Sequence, residues 1–276
     1  MTEKKDRIVK VQFMDTEFSD FRVNFEVEKD FNGEPNNANI EIYGLSRETT
    51  AQALMTQRDT RVRLIAGYES EGAKKIFDGQ PIKDGIEYER DGEDVKLKIE
   101  AQGGREAFQK ARVSMSFDQV KTYHQIVNQL PRSSPLFDDT PFEIDPGIPN
   151  GHKQLPAGMV YEGRFPEVAD QIAEDLDCDW SFQNGTFVFI HHEHTRPMEG
   201  PKFSHELGNL IEAPRPTDNG IEVTVLMEHV DPGMRFKVAD AEDKRYNGAY
   251  KALKVRYQGD SGWDNPFYSV IEGRRL

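Results

Sequence analysis

The feature that most constrains this chain is a two-residue alternation of apolar and polar side chains at both ends, interrupted in the middle by helical spacing. Residues 7–29 carry Ile8, Val9, Val11 and Phe13, then Phe21, Val23, Phe25 and Val27 in strict period two. Successive side chains of a strand point to opposite faces, so such a run gives one apolar face and one polar face. The polar face here carries Arg22, Asn24, Glu26 and Glu28. The turn FNGEPNN follows, and Ala38, Ile40 and Ile42 resume the alternation. Ser46 is placed to cap a short helix reaching to about Met55. Further strands are predicted over 61–68, 75–83, 85–90 and 95–102, with RDGED at 90–94 as a hairpin turn. At the other end, strands are predicted over 220–227, 234–238, 248–257 and 267–272, separated by Pro232-Gly233 and the turn 259–262.

The middle of the chain has a different rhythm. Val120, Tyr123, Ile126, Val127 and Leu130 are spaced as one face of a helix over 118–130, which Pro131 ends. Residues 131–158 contain Pro131, Pro135, Pro141, Pro146, Pro149 and Pro156 and predict a long loop. Such a loop is expected to serve as an inter-subunit arm, mobile in the isolated chain. Pro166 opens a second predicted helix with Val168, Ile172, Ala173 and Leu176 on one side. Trp180 and Phe182, the turn Asn184-Gly185, and Phe187 and Phe189 then predict a small hairpin. The expected class is mainly β with an α+β insert. Residues 1–112 form a first β-barrel domain, 113–200 an α+β domain holding the loop 131–158, and 201–276 the strands of a second barrel.

Charge narrows the partners. The net charge is −14, and no segment is basic: residues 1–110 hold 18 basic and 23 acidic side chains, 111–200 hold 6 and 14, and 201–276 hold 11 and 12. A module that grips phosphate backbones is disfavoured by this balance, whereas an acidic surface lets nucleic acid pass without sticking. Solubility alone also accounts for acidity. No apolar run approaches the roughly 20 residues of a membrane helix, so no membrane insertion is expected. The start, MTEKKDRIVK, lacks the apolar core of a secretory signal. A single cysteine, Cys178, excludes an intramolecular disulfide and makes synthesis in a cytoplasm the default.

Candidate chemistry is sparse. His192 and His194 would share a face of a strand, a ligand-like spacing that makes them weak candidates for a metal; a polar strand end is the plainer reading, and no metal site is expected. Cys178 lies between Asp177 and Asp179, which would raise its pKa and oppose nucleophilic use. Glu174 with Asp175, and Asp138 with Asp139, are ordinary pairs in a chain of 49 carboxylates. Gly103-Gly104 lacks the Lys-Ser/Thr ending of a phosphate loop, and no Gly-x-Ser-x-Gly elbow is present. No catalytic residue, cofactor or enzymatic activity is expected.

Three stretches resemble bacteriophage tail baseplate hub proteins of the tail-tube-like type. FRVNFEVEKDFNGEPNNANIEIYGLS, residues 21–46, is similar to the opening of their first barrel, with Gly44-Leu45-Ser46 in place of an Asn-Leu-Ser ending. Residues 155–190, with Leu155-Pro156-Ala157-Gly158, Trp180-Ser181-Phe182 and Asn184-Gly185, resemble their small α+β domain. Residues 246–276, with Gly248-Ala249-Tyr250 and Gly259-Asp260 before an aromatic strand, look like their closing barrel strands. The resemblance implies two tail-tube-like barrels per subunit and a homotrimer whose pseudo-sixfold ring joins the tail tube to the central spike. Its partners would be further copies of itself, a tail tube or tube-initiator ring, the spike, the tape measure protein and other baseplate proteins. DNA would pass through the ring at genome ejection without specific binding. The location would be the virion, after synthesis in the host cytoplasm. Other readings are a distal tail or tube-initiator protein, a cell-wall-degrading enzyme supported by Trp180, Trp263 and the carboxylates, and a metal-dependent binding module using residues 191–194.

Overall fold

A computed structural model describes residues 6–55, 60–91, 94–239, 242–262 and 265–276. The first β-rich end contributes β1 (Arg7–Phe13), β2 (Thr16–Phe18), β3 (Val23–Lys29), β4 (Asn37–Tyr43), helix α1 (Arg47–Leu54), β5 (Val62–Tyr68), β6 (Lys74–Asp91) and β7 (Asp94–Gln102). Buried and exposed residues alternate along β3 and β4 as the period predicts. Ser46 caps α1 by accepting from the Thr49 N–H. The segments 75–83 and 85–90 are one strand, β6, whose pairing with β7 shifts register between Pro81 and Ile86.

The middle segment comprises α2 (Arg105–Gln109), β8 (Arg112–Phe117), β9 (Lys121–Thr122), α3 (Tyr123–Gln129), β10 (Phe142–Ile144), β11 (Gln154–Leu155), β12 (Met159–Arg164), α4 (Phe165–Leu176), β13 (Cys178–Gln183) and β14 (Thr186–His191). The amphipathic helix and the hairpin are α4 and β13–β14, as expected. The helix expected over 118–130 is shorter. Thr122 accepts from the Gln125 N–H while the Gln125 side chain accepts from the Thr122 N–H, so this capping box starts the helix at Tyr123 and leaves Val120 exposed. The 131–158 segment is largely without regular structure, as expected of a long loop, but it is packed onto the chain. It forms two 3-10 turns, places β10 parallel to β14 and β11 antiparallel to β9, and buries Phe137, Ile148 and Leu155. Pro131 and Pro135 sit in the 3-10 turns and Pro146 and Pro149 in further turns, where a missing N–H costs little.

The second β-rich end adds β15 (Glu199–Ser204), β16 (Arg215–Thr217), β17 (Gly220–Leu226), β18 (Arg235–Ala239), β19 (Gly248–Asp260) and β20 (Phe267–Arg275). Both ends meet in one 13-stranded sheet, ordered β16-β17-β20-β19-β3-β4-β7-β6-β5-β1-β2, with β18 and β15 branching from β19. β19 is the junction. One edge pairs with β20 along its length, while the other is shared between β18 at Gly248–Lys251 and β3 at Val255–Asp260. A single hydrophobic cluster lies under this sheet, drawing Val11, Phe25, Ile40 and Leu64 from one end and Val225, Phe236, Tyr257 and Ile271 from the other. The middle segment has its own core, built around Phe165, Trp180, Phe182 and Phe187.

A buried polar cluster fastens the middle segment to the sheet. The Lys29 ammonium, almost fully buried, donates to the Asp231 carboxylate and, at 2.9 Å, to the Asn184 carbonyl of the β13–β14 turn. The Asn184 amide donates to Asp231 at 2.9 Å. Arg196 grips Glu143 of β10 with two hydrogen bonds of 2.8 and 3.1 Å and lies 3.6 Å from Asp231. Burial alone would raise the Asp231 carboxyl, but Lys29, His229 and Arg196 outweigh it and hold the pKa below the ordinary value. Buried charges of this kind need partners on every side.

Candidate functional site

The face of the sheet opposite its hydrophobic core is a polar surface that runs across several strands. Its composition follows from register. Residues directly across a ladder share a face, and Glu28 opposes Arg256 and Asn37, Glu26 opposes Gln258 and Asn39, and Asn24 opposes Glu41. Farther along, Glu100 opposes Asn39, Lys98 opposes Glu41 and Glu87, and Lys96 opposes Glu89. In the other direction, Lys254 opposes Glu272, which in turn opposes Glu222. The polar positions thus form one face over seven adjacent strands, from β17 to β6.

The side chains on this face bind one another. Arg256 Nε donates to Glu28 Oε1 at 3.0 Å and lies 3.9 Å from Glu26. Lys96 Nζ reaches Glu41 at 2.8 Å and Glu89 at 3.3 Å, and Lys98 reaches Glu100 at 2.6 Å. The hydrogen bond to Glu41, and a second to Glu89, raise the Lys96 ammonium above its ordinary value. For Glu41, partial burial pushes the carboxyl up, but Lys96, Tyr43 and Asn24 push it further down, so it stays ionised. At one edge the Arg22 guanidinium pairs with Asp260 at 2.9 Å. On this face the ladders place the acids Glu26, Glu28, Glu41, Glu87, Glu89, Glu100, Glu222, Asp260 and Glu272 and the bases Lys96, Lys98, Lys251, Lys254, Arg256 and Arg274, of which Lys251 and Arg274 reach the His192 carbonyl of the middle segment. Nine against six leaves three extra carboxylates among these residues. Such a surface is hydrated, internally neutralised in most places and net negative. Among its described cations, Lys96, Lys98 and Arg256 are each paired with a carboxylate.

The two weak metal candidates do not share a strand face. β14 ends at His191, and the chain turns through His192 and Glu193. His192 Nδ1 lies 2.9 Å from the Asp177 carbonyl oxygen and 3.2 Å from its carboxylate, whereas His194 Nδ1 lies 2.6 Å from Asp145. The structure separates His192 from His194 and instead gathers Asp177, His191 and His192. Burial, followed by the neighbouring imidazoles, lowers the His191 pKa. Burial first, and then Asp145, Asp179 and Asp177, push the Cys178 thiol up to about 12, the direction its neighbours suggested. Asp175 accepts from the Tyr123 hydroxyl at 3.2 Å. Trp180 is buried and donates to Asp170 at 2.7 Å, so it cannot serve as a platform for a sugar ring. Gly104 caps α2 with φ +68°, where an added Cβ would lie 2.8 Å from Phe182. Trp263 lies outside the described residues.

No protein-family model and no curated protein sequence matches the chain. Solved structures do. A tail protein from Neisseria meningitidis MC58 superposes with a TM-score of 0.67 over 98% of this chain and 96% of its own, at 9% identity. The prophage MuSo2 43 kDa tail protein from Shewanella oneidensis gives 0.64 over 98% and 97%, also at 9% identity. The fold is that of phage tail proteins. An Escherichia coli protein, described as a component of the type VI secretion system similar in structure to the T4 bacteriophage tail proteins gp27 and gp5, has the same fold. It gives a TM-score of 0.60 over 97% of this chain and 77% of its own, at 8% identity.

Within this tail-protein fold, sequence reasoning missed the junction around Lys29. The signal was present: Lys29 continues the parity of Val23, Phe25 and Val27, so a charge falls on the apolar face. A buried charge at such a position requires a counter-charge, but the sequence alone does not say that it is Asp231, 202 positions away.

Proposed function

We propose that this chain is a structural subunit of a phage tail baseplate, the hub that joins the tail tube to the central spike and forms part of the DNA conduit. The observation that carries this reading is the continuous, net-acidic polar face over seven strands of a tail-protein fold. Placed on the inside of a ring, that face meets DNA with carboxylates in excess and with most of its cations engaged. A basic lining would hold the duplex through many phosphate contacts, each adding to affinity and salt dependence. The acidic lining repels it over about a Debye length, roughly 8 Å at physiological ionic strength. In this reading the subunit is a homotrimer with two tube-like β-rich ends. It contacts the tube or tube-initiator ring, the spike, the tape measure and baseplate proteins, and it is not an enzyme. It is made in the host cytoplasm and resides in the virion.

A second reading, as part of a type VI secretion apparatus, draws on the likeness to the Escherichia coli protein. Native mass spectrometry of the purified chain, with and without the adjacent spike protein, together with averaged images of tails, tests both. A trimer located at the tail tip supports the hub. A stable sixfold ring of single subunits overturns it, and absence from phage particles favours the secretion reading.

A further inference from the structure

We propose that Asp177, His191 and His192 form a binding site for one divalent transition metal ion of the zinc class. Three elements bring the residues together. Asp177 ends α4 in the left-handed conformation, with φ 56° and ψ 45°. Cys178, which follows it, opposes His191 across the β13–β14 ladder, and the chain turns immediately after His191 to present His192. One ligand atom from each residue lies within 4.8 Å of the others. His192 Nδ1 is 3.2 Å from Asp177 Oδ1, and His191 Nε2 is 4.0 Å from Asp177 Oδ2. In a tetrahedral zinc site with bonds of about 2.1 Å, ligand atoms stand about 3.4 Å apart, a spacing that lies between the two distances to the Asp177 carboxylate; to bind the ion His192 Nδ1 gives up its 2.9 Å contact with the Asp177 carbonyl oxygen.

The chemistry of the donors fits as well. Two imidazoles and one carboxylate are a set that zinc-class ions favour over calcium or magnesium, which prefer all-oxygen shells. His191 is buried, His192 is partly exposed and the Asp177 side chain is largely exposed, which leaves an entry path and an open position for water. The neighbouring cations hold the backbone of the turn. Lys251 donates to the carbonyl oxygens of His191 at 3.3 Å and His192 at 2.8 Å, and Arg274 donates to the His192 carbonyl. The Glu193 N–H donates to His191 Nδ1 at 3.3 Å; when Nε2 binds the ion, the ring changes tautomer and releases this long contact. A bound ion would tie the end of α4 to the end of β14 and so brace the middle domain where it meets β19 and β20.

The test uses the purified full chain, titrated with Zn²⁺ in a calorimeter and with Co²⁺ in an absorption spectrometer. One ion per chain is expected, with visible cobalt bands of a four- or five-coordinate site and a melting temperature that falls when a chelator is added. Asp177→Asn keeps a residue that tolerates the left-handed backbone and removes the anionic ligand. His192→Ala removes a ligand without opening the core. Each is expected to weaken binding by about tenfold or more with an unchanged circular dichroism spectrum. No saturable binding below about 100 µM in the parent chain overturns the proposal. So does wild-type affinity in both variants, which would move the ion to another pair, such as His124 with His152 or His194 with Asp145.

Discussion

Arg256 and Glu28 are 228 positions apart in the chain, yet they meet across 3.0 Å on the polar face of one sheet. The pair marks the place where β19 docks on β3 and the two β-rich ends become one structure. The pair is itself well exposed, and exposed ion pairs contribute at most about 1 kcal/mol. The ladder and the apolar residues beneath it, Val27 and Tyr257 among them, hold the junction.

Removing one partner of the buried Lys29–Asp231 pair is expected to be severe. Asp231→Ala leaves the buried Lys29 ammonium without its counter-charge and should destabilise the protein by about 3–5 kcal/mol, whereas Lys29→Ala leaves Arg196 and His229 beside Asp231 and should cost less. The double variant Lys29→Met, Asp231→Leu should recover a large part of that loss. Urea titrations followed by circular dichroism measure both, and additive losses in the double variant would argue against a coupled pair.

Reversing charge on the polar face should create an affinity that the natural protein lacks. Glu26→Lys, Glu28→Lys and Glu100→Lys together turn the nine-to-six acidic excess of the face into six acids against nine bases. The triple variant is expected to retain duplex DNA in a gel-shift assay at low salt and to release it steeply as salt rises. Its particles should eject DNA more slowly. Equal DNA binding by both proteins would count against an anti-adhesive wall.

Residues 131–158 should resist proteolysis in the isolated chain. Phe137, Ile148 and Leu155 are buried, and β10 is hydrogen-bonded to β14. Cleavage requires local opening of that packing. Limited trypsin or chymotrypsin digestion, read by mass spectrometry, is expected to spare this segment. Rapid cutting between 131 and 158 would restore the mobile-arm expectation.

Acid should weaken the fold through His229. Burial, acting with Lys29, Lys74 and Arg196 against the attraction of Asp231, lowers its pKa below 6.5. Above pH 6.5 the imidazole is neutral in both the folded and unfolded states and contributes nothing to pH dependence. As pH falls below 6.5 the unfolded chain takes up the proton first, so stability drops until the folded-state pKa is passed. The urea midpoint should therefore be lower at pH 5.5 than at pH 7.5, and His229→Gln should reduce that difference. His191, lowered by the same cause, supplies part of what remains. An unchanged pH profile in His229→Gln would refute the assignment.

Much of this architecture was legible in the sequence because strand and helix periods are local. The alternation through Val23, Phe25 and Val27 fixed the two faces of β3, and Val168, Ile172 and Leu176 fixed the buried side of α4. The polar face could be listed strand by strand, with Glu26, Glu28, Glu87, Glu89 and Glu100 on it, but period two does not say which strands adjoin. That Glu28 faces Arg256 depends on pairing between distant segments. The packing of the middle loop was not foreseen for a related reason: proline density reports missing N–H donors, and it does not report that Phe137 and Ile148 find a core to enter. The histidines were misplaced because the strand ends at His191, one residue before the alternation was assumed to continue.

The docking of β19 on β3 also sets a timetable for synthesis. β3 is made early and waits more than two hundred residues for its neighbour, and contacts of such high sequence separation form slowly. The middle segment, which has a core of its own, can be complete while β3, already paired with β4, still carries a bare edge along Val27 and Phe25. A bare edge of that kind invites pairing with other nascent chains. Translation that stalls before Gly248 therefore leaves a half-built sheet prone to aggregation, so the yield of the protein should depend more on how quickly the last strands arrive than on how stable the finished fold is.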